Sequence, residues 1–474
     1  MRLKRRITMA GSATALSAAA LIAVPPPAAF AAPLGVSSDF NGDGYSDQVI
    51  GAPTATVSGK KSAGYVAVVY GSSSGLNRAT RQIFHQDSAG IQGAAETGDQ
   101  FGYSTAAGDY DGDGFADLLI GSPGEDLGAA RDPGTVTFLR GGPSGLTGGP
   151  AWSVEADSSD TLIGRSLAAG DFNHDGYADF AIAGGNLFTV FYGSPQGAAR
   201  APQERQARQT RQRTLAAAPV MTSTVAAGDV NKDGYTDVAW QILNGDHNLL
   251  TFFLGSADDL REQSGDMVYI PGEIGQAIAD VNGDGYGDLI SGRPYSSGVK
   301  GGAVSIRPGT AKGLNFSKYY TVHQNTSGVP GASEEGDGFG YSVAAKDLNG
   351  DGRAEIAVGV QGEDKSTGMV VLLRGSSTWT LGSGAKVFTQ NTSGVPGNNE
   401  AGDRFGRAVA FNDPNHDNRP DLVIGVAGEN AWDGSVVLLK GAGGTIGTSG
   451  AGVLTPAGVG GPGRAGSFGA SLHN

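Results

Sequence analysis

The stretch DFNGDGYSD, from Asp39 to Asp47, holds three carboxylates, one carboxamide and two glycines within nine residues. Two carboxylates about 4 Å apart repel by roughly 4 kcal/mol at an effective dielectric of about 20. A folded loop that brings these groups together is therefore unfavourable unless something compensates the charge. A divalent cation reverses the sign of the interaction, so the stretch predicts a cation-binding loop.

The same pattern recurs along nearly the whole chain of 474 residues. Six further copies begin at Asp109, Asp171, Asp229, Asp280, Asp347 and Asp413. Successive copies are 70, 62, 58, 51, 67 and 66 residues apart. A pattern kept at this spacing over so many copies indicates a repeat architecture.

Short apolar segments surround each copy and predict strands. A small-residue segment such as FGYSTAAGD leads into the loop, and an apolar segment such as DLLIGSPGE follows it. A third segment such as GTVTFLRG and a weaker fourth such as RQIFHQ complete the unit. Four short strands in each of seven units predict an all-β fold, a seven-bladed β-propeller of four-stranded blades with a calcium-binding loop in each blade. Closing the ring would protect the sheet edges.

The end of the chain indicates how the ring closes. In complete units a Phe-Gly pair begins eight residues before the first Asp of the loop, but eight residues before Asp39 lies Ala31. A spare pair occurs near the C-terminus, at Phe468. We therefore predict that residues 467–472 form the strand that completes the first blade, and that residues 32–474 form the propeller.

The first 31 residues have the features of a secretory signal peptide. The basic start MRLKRR precedes an apolar stretch, and the small-residue sequence AFA ends at Ala31. The sequence therefore predicts a signal peptide over residues 1–31 and a secreted, extracellular protein. No later segment is apolar enough to predict a membrane span, and the chain contains no cysteine.

The charge balance restricts the class of partner. Removal of residues 1–31 takes away four positive charges, so the formal net charge goes from −14 to −18. An acidic surface argues against nucleic acid and anionic membranes, whereas it favours divalent cations. The segment from Arg200 to Arg213 is the basic exception, and we interpret it as an exposed loop.

The loop chemistry favours calcium. Side chains at positions 1, 3 and 5 can converge when the chain curls, and glycine at position 6 permits the bend. Position 7 would offer its backbone carbonyl, and position 9 would close the cage with a carboxylate. Oxygen ligands in a flexible, carboxylate-rich site suit Ca²⁺, and the absence of cysteine and of a recurring histidine cluster argues against zinc.

The sequence thus predicts up to seven structural calcium ions, and an Asx-rich turn without metal is the alternative. Two copies depart from the pattern, with Glu355 at position 9 of the sixth loop and Asn418 at position 6 of the seventh. The predicted metal-site residues, by loop, are Asp39, Asn41, Asp43, Tyr45 and Asp47; Asp109, Asp111, Asp113, Phe115 and Asp117; Asp171, Asn173, Asp175, Tyr177 and Asp179; Asp229, Asn231, Asp233, Tyr235 and Asp237; Asp280, Asn282, Asp284, Tyr286 and Asp288; Asp347, Asn349, Asp351, Arg353 and Glu355; and Asp413, Asn415, Asp417, Arg419 and Asp421.

The order of these motifs resembles the FG-GAP repeat, the unit of the integrin α N-terminal β-propeller and of many secreted bacterial proteins. IGAP at Ile50–Pro53 and IGSP at Ile120–Pro123 are similar to the GAP element. The resemblance covers residues 32–474. It implies calcium loops on one face of the ring and ligand recognition chiefly on the opposite face. Because all seven units carry an acidic loop, which integrins do not, the resemblance does not imply a heterodimeric receptor.

The sequence favours a secreted calcium-binding propeller that acts as an extracellular binding or adhesion module for a protein or glycan. We expect a monomer with no nucleic-acid partner. The alternative is a secreted hydrolase on the same scaffold, acting on glycans or phosphoesters. No catalytic residue is predicted, because GSSSG at residues 71–75 matches the position of a turn in the other units. Convergent acids or a histidine in the central funnel would favour the enzyme, and aromatic loops opposite the calcium sites would favour binding.

Overall fold

A computed structural model describes residues 38–126, 131–148, 161–185, 187–194, 222–243, 249–263, 268–269, 275–295, 298–462 and 465–473. The predicted signal peptide over residues 1–31, the basic segment from Arg200 to Arg213 and the isolated His247 lie outside the described residues.

The described residues fold almost entirely into short strands. In chain order the strands of the first half are β1 Gln48–Ala52, β2 Tyr65–Val69, β3 Arg81–Phe84, β4 Ser104–Gly108, β5 Asp117–Ser122, β6 Thr135–Arg140, β7 Thr147–Gly148, β8 Ser166–Gly170, β9 Asp179–Gly184, β10 Leu187–Phe191, β11 Thr222–Gly228, β12 Asp237–Leu243, β13 Leu249–Leu254, β14 Arg261–Glu262 and β15 Val268–Tyr269. Those of the second half are β16 Gln276–Ala279, β17 Asp288–Arg293, β18 Ala303–Arg307, β19 Gly309–Thr310, β20 Gly313–Leu314, β21 Tyr320–Val322, β22 Phe339–Lys346, β23 Glu355–Val360, β24 Met369–Leu373, β25 Lys386–Phe388, β26 Phe405–Asn412, β27 Asp421–Val426, β28 Ser435–Ala442, β29 Thr445–Leu454 and β30 Ser471–Leu472.

Helix is confined, within the described part of the chain, to three four-residue segments. These are α1 Glu363–Ser366, α2 Glu429–Trp432 and α3 Pro456–Val459. In α1 and α2 the central residues have positive φ, 47° at Asp364 and 52° at Asn430, so both segments are left-handed turns rather than α-helix. None of the helices among the described residues is long and apolar enough to span a bilayer.

The strands form seven antiparallel sheets, which are the blades of a β-propeller. The sheets are β30-β1-β2-β3, β4 to β7, β8 to β10, β11 to β14 with β15 also on β13, β16-β17-β18-β21, β22 to β25, and β26 to β29. A two-stranded hairpin, β19-β20, accompanies the fifth sheet. The predicted all-β, seven-bladed fold is confirmed, with three strands of the third blade among the described residues.

The innermost strands define the ring. Around it, β30, β4, β8, β11, β16, β22 and β26 each lie beside the next, and β26 returns to β30. The second strand of a blade is covered on both faces, as the fully buried β5, β9 and β23 illustrate. The apolar core lies between neighbouring sheets, where Leu119 of the second packs with Phe180 of the third. Because a sheet buries its faces only against its neighbours, stability depends on the ring.

The C-terminal strand lies in the first sheet. β30 pairs with β1, with Ser471 opposite Gly51 and Leu472 opposite Ile50. Just before this strand, Phe468 is fully buried, and its ring stacks on that of Tyr65 with centroids 6.4 Å apart. The sheet that begins the described chain therefore also holds its last strand.

Candidate functional site: the acidic loops and the axial mouth

The seven acidic loops lie at one end of the ring, where each leads into the second strand of its sheet. Position 2 of the loop holds an apolar side chain that is buried, as Phe40, Tyr110 and Phe172 are. This side chain anchors the loop to the core, while position 3 is partly buried and positions 4 and 5 are the most exposed part of the loop. The acidic groups therefore cluster at a surface that is fixed from beneath.

The carboxylate at position 1 organises the backbone of its loop. In the first loop, Asp39 Oδ1 accepts hydrogen bonds from the Gly42 and Asp43 backbone nitrogens at 2.8 and 3.2 Å, and Oδ2 accepts from Gly44 at 2.8 Å. Gly44 has a φ of +86°, a left-handed conformation that favours glycine. Asn418, at the same position of the seventh loop, adopts a φ of 59°, which asparagine tolerates better than most residues. The curl predicted from the sequence therefore forms in both.

Positions 3 and 5 are linked to each other. Asn41 Oδ1 accepts from the Asp43 backbone nitrogen at 3.1 Å, and Asn41 Nδ2 donates to Asp43 Oδ2 at 2.9 Å. In the second loop an aspartate replaces the asparagine. There, oxygens of Asp109, Asp111 and Asp117 all lie within 4.8 Å of one another. The loop thus brings positions 1, 3 and 9 together, as the sequence predicts, although Asp113 at position 5 is not part of this group.

Position 9 has a structural contact that the sequence did not reveal. Asp47 Oδ2 accepts from the Phe40 nitrogen and Oδ1 accepts from the Gly71 nitrogen, both at 2.9 Å. The carboxylate therefore fastens its loop to the turn after the third strand of the sheet. Equivalent pairs of bonds occur at Asp117, Asp179, Asp237 and Asp288.

Burial raises the pKa of these position-9 carboxyls. The pKa rises to about 7 for Asp47, Asp237 and Asp288 and to about 8 for Asp117 and Asp179, with the backbone donors opposing the shift. In the sixth loop the longer Glu355 accepts from the Leu348 nitrogen and from Asn349 Nδ2, each at 3.0 Å. Its pKa is also raised by burial.

Basic side chains approach three of the loops. Arg140 contacts Asp111 Oδ2 at 2.6 Å and Asp113 Oδ2 at 3.0 Å in the second loop. Arg353 lies 2.7 Å from Asp351 in the sixth, and Lys440 lies 2.6 Å from Asp421 in the seventh. The sequence analysis missed these pairs. For Arg140 and Lys440 the signal was a basic residue near the end of the third strand, in TVTFLRG and SVVLLKG, whereas Arg353 is position 7 of its own loop.

The donor set fits a hard divalent cation. Every side-chain group at positions 1, 3, 5 and 9 of the loops offers oxygen, which is the ligand type that Ca²⁺ prefers. In the seventh loop, Asn415 Oδ1 is buried and accepts no hydrogen bond from the described residues. In the second, the buried Asp111 Oδ2 has the Arg140 guanidinium as its contact. Both atoms are compatible with a cation, which in the second loop would compete with Arg140.

The loops also join neighbouring sheets. The Asp39 carbonyl accepts from the Ala116 nitrogen of the next loop at 2.9 Å, and the Asp109 carbonyl accepts from Ala178 at 2.9 Å. At the closure of the ring, a ring nitrogen of His416 in the seventh loop lies 2.5 Å from the carbonyl oxygen of Gly44 in the first. Ordering one loop therefore also orders the contact with its neighbour.

At the opposite end of the ring, five side chains meet around the axis. In four of the sheets a Phe-Gly or Ile-Gly pair lies near the start of the innermost strand, and the residue after the pair is Tyr103, Arg165, Tyr341 or Arg407. The Arg165 guanidinium lies 5.4 Å from the ring centroid of Tyr103, and that of Arg407 lies 4.5 Å from Tyr341. Tyr295 meets Tyr341 edge to face, with centroids 6.5 Å apart. We call these five residues the axial mouth.

The axial mouth is a single cluster although it draws on five sheets. Arg407 interacts electrostatically with Tyr103 of the second sheet and Tyr295 of the fifth. Sequence analysis missed this cluster. The available signal was the residue after the Phe-Gly or Ile-Gly pair, which is tyrosine in the second and sixth units and arginine in the third and seventh.

A second set of polar pairs joins neighbouring sheets at this end. Gln324 Nε2 donates to Glu363 at 2.8 Å, and Gln86 donates to Glu125 in the same way. Burial raises the pKa of Glu125 and Glu363 to about 7. Each glutamine follows the outer strand of one sheet and each glutamate follows the second strand of the next. Because the pair recurs between different sheets, we interpret these glutamates as structural residues.

His473 lies beside the innermost strand of the second sheet. Its ring is hydrogen-bonded to the backbone of Thr105, and burial lowers the pKa of the imidazole to about 4. Its Nε2 has no hydrogen-bond partner among the described residues. The imidazole is therefore neutral near pH 7.

Comparison with known proteins identifies the repeat. The FG-GAP repeat profile matches residues 34–69, 101–139, 163–204, 221–240, 277–306 and 339–373. Each matched stretch holds one of the first six acidic loops. The chain is an FG-GAP repeat protein, and its propeller resembles that of integrin α chains.

Three relatives illustrate the similarity. Phosphatidylinositol-glycan-specific phospholipase D of Rattus norvegicus is 29% identical over 170 residues, which is 34% of this chain and 20% of the relative. Integrin alpha-PS2 of Drosophila melanogaster is 33% identical over 190 residues, 36% of this chain and 12% of the relative. Integrin alpha pat-2 of Caenorhabditis elegans is 29% identical over 283 residues, which is 58% of this chain and 19% of the relative. The matches thus span a fifth or less of each relative.

Among solved structures, the fold is similar to a mutant of Aleuria aurantia lectin in complex with alpha-methyl-L-fucoside. The TM-score is 0.39 at 12% sequence identity, and the match covers 76% of this chain and 96% of the lectin chain.

Proposed function

We propose that this FG-GAP protein is a secreted, calcium-stabilised propeller that acts as an extracellular binding module for a protein or glycan. The observation that carries the binding role is the axial mouth. Tyrosine and arginine side chains, which are enriched at binding surfaces, converge there at the end of the ring opposite the acidic loops. This is the arrangement expected of a binding propeller rather than of an acid-base enzyme.

Calcium would stabilise the propeller through its loops. The residues that would hold it are the oxygen-bearing positions 1, 3, 5 and 9, together with the backbone carbonyl of position 7. A bound divalent ion supplies positive charge that offsets the repulsion of three or four carboxylates. The chain itself supplies the position-2 anchor, the bonds of the position-1 carboxylate and the contacts between loops. Ion binding at one loop would therefore stiffen two sheets.

Calcium titration tests this part of the proposal. We expect the melting temperature of the full chain to rise with calcium concentration above that of the chelated protein, because a ligand that binds only the native state stabilises it by mass action. Asp109→Asn with Asp111→Asn should remove one site from the calorimetric stoichiometry. Asp258→Asn, at an exposed position outside the loops, is the control. A melting temperature that does not respond to calcium would refute the role of the metal.

A hydrolase on the same scaffold is the second candidate. Two observations favour it, the similarity to a phospholipase D and the buried, neutral imidazole of His473. Turnover of phosphodiester or glycoside substrates by the purified full chain would support it, provided that His473→Gln abolishes turnover without changing the melting temperature. A hydrolysis rate equal to the rate in buffer without the protein would exclude hydrolase activity on those substrates.

A further inference from the structure

The axial mouth has a charge that contrasts with the rest of the molecule. The chain has a formal net charge of −14, yet Arg165 and Arg407 both stand at the mouth, each stacked on a tyrosine ring. A stacked guanidinium keeps its N–H donors around the edge of its plane, where a planar anion can meet two of them at once. Propeller closure alone does not require such groups.

Arg407 carries a positive charge that is partly withdrawn from water. Its side chain is half-buried, and no carboxylate among the described residues forms an ion pair with it. Its guanidinium lies over the ring of Tyr341, and it interacts electrostatically with Tyr103 and Tyr295. A guanidinium stays protonated in proteins, and a charge partly withdrawn from water is costly unless it is paired. An anion bound at the mouth would supply that pairing.

The first sheet leaves space at the mouth for such an anion. At the position equivalent to Arg407 and Tyr103, the closing strand carries Ala470. Its side chain is a single methyl group, so the first sheet places no long side chain between the seventh sheet, which carries Arg407, and the second, which carries Tyr103. An arginine or tyrosine at this position would occupy the same space.

We propose that the axial mouth binds a carboxylate-bearing saccharide, with the carboxylate on the Arg407 guanidinium and a sugar ring against Tyr295. Tyr295 is 70% exposed and presents an open aromatic face with a polar tip. Arg165 provides a second cation on the other side. The inference rests on the proposed binding function and names the ligand class. A pyranose would use both the guanidinium and the flat exposed ring, whereas an acidic peptide would need only the guanidinium. The exposed ring therefore favours a saccharide over an acidic peptide.

The test compares two saccharides that differ only in charge. One is a β-linked tetraglucuronate, and the other is the tetraglucose obtained by reducing its carboxylates. Titration calorimetry on the full chain with saturating calcium should detect binding of the first only. Arg407→Ala should weaken it by about tenfold or more, the expected effect of losing a charge-assisted pair of hydrogen bonds. Arg261→Ala, on the outer strand β14 and paired with Asp258, should leave the affinity unchanged.

Two further variants distinguish a loss of binding from a loss of folding. Arg407→Lys keeps the charge but not the planar fork, and should bind more weakly than the unmodified protein. Tyr295→Ala removes an exposed ring and should weaken binding without lowering the melting temperature. Tyr319→Ala is its matched control, because Tyr319 is also exposed, at 53%, and stacks on Arg307 outside the mouth.

The outcomes separate this inference from the proposed function. Equal binding of the neutral tetraglucose, or equally tight binding of hexaglutamate, would overturn the assignment of a carboxylated saccharide. If tetraglucuronate does not bind while another extracellular polymer does, the inference is wrong and the binding function stands. If no extracellular polymer binds and calcium has no effect on unfolding, the proposed function fails as well.

Discussion

The carboxylate at position 9 has a structural role in addition to the metal-ligating role that the loop pattern predicts. In the fourth loop, Asp237 Oδ2 accepts from the Val230 nitrogen at 2.9 Å and Oδ1 accepts from the Gly255 nitrogen at 2.8 Å. Both oxygens thus satisfy buried backbone donors before any metal is considered. Each carboxylate oxygen can accept more than one bond, so this role is compatible with metal ligation.

Asp237→Asn separates the two roles. The carboxamide has one acceptor oxygen, so its NH2 group would face a buried backbone N–H. We expect a loss of about 1–3 kcal/mol in the free energy of unfolding, measured by urea denaturation at pH 8 with chelator present. Asp258→Asn, whose parent side chain is 88% exposed, is the control. An unchanged stability in chelator would mean that Asp237 acts only through a metal.

At the scale of elements, the Phe-Gly pair fixes how neighbouring sheets approach. The glycine before the third strand of one sheet bridges to the phenylalanine of the next, as Gly368 does to Phe405 and Gly434 to Phe468. A Cβ atom on Gly368 would lie 2.3 Å from the Phe405 carbonyl oxygen. The repeat therefore keeps glycine there because the two backbones touch.

Gly368→Ala tests this contact against Gly402→Ala. Both glycines have positive φ, +80° and +95°, but a Cβ on Gly402 meets nothing within 4 Å. The two variants share the conformational strain, and only Gly368→Ala must also push the strands apart. We expect Gly368→Ala to be less stable than Gly402→Ala by about 1–3 kcal/mol, the usual cost of overpacking, in chemical denaturation. Equal losses would show that the close approach is unimportant.

At the scale of the whole molecule, the ring closes through contacts between the two ends of the described chain. β30 pairs with β1, and Phe468 occupies the place that Phe101, Phe339 and Phe405 hold in other sheets. All four rings are fully buried. Phe468, near the end of the chain, is therefore as fully buried as the corresponding phenylalanines in the other sheets.

Phe468→Ala should accordingly cost about 3–5 kcal/mol, the usual effect of truncating a buried phenylalanine. Phe339→Ala, in the middle of the chain, is the matched control and should cost the same. The measurement is the free energy of unfolding in guanidinium chloride at fixed calcium. A loss near zero for Phe468→Ala alone would indicate a frayed end and an open ring.

The buried carboxyls predict how stability depends on pH. Their pKa values, about 7 or 8, lie above the unfolded values near 4. The native state therefore holds more protons, so the stability that these groups contribute is complete below about pH 4 and is lost as the pH rises through 7 to 8. We expect the melting temperature of the chelated protein to fall between pH 6 and 8.5. Calcium needs ionised ligands, so its stabilising effect should grow over the same range. A rising melting temperature without calcium would contradict this account.

The sequence by itself determined the features that depend on residues close together in the chain and on their repetition. The repeated nine-residue pattern and its flanking apolar segments predicted an all-β, seven-bladed propeller, and the fold confirms it. The curl of each loop also followed from residue types, because a carboxylate at position 1 and glycine at position 6 act within six residues.

Only the tertiary structure decided the contacts between blades. Tyr103 and Arg407 are more than 300 residues apart in the chain, and they interact electrostatically because the ring closes at seven sheets. Each position-9 aspartate also accepts a bond from the turn after the third strand. This bond likewise depends on tertiary structure, because it requires the third strand to end beside the loop. The physical reason is that a repeat encodes the unit and its nearest neighbours, whereas the composition of the axial mouth depends on how many units surround the axis.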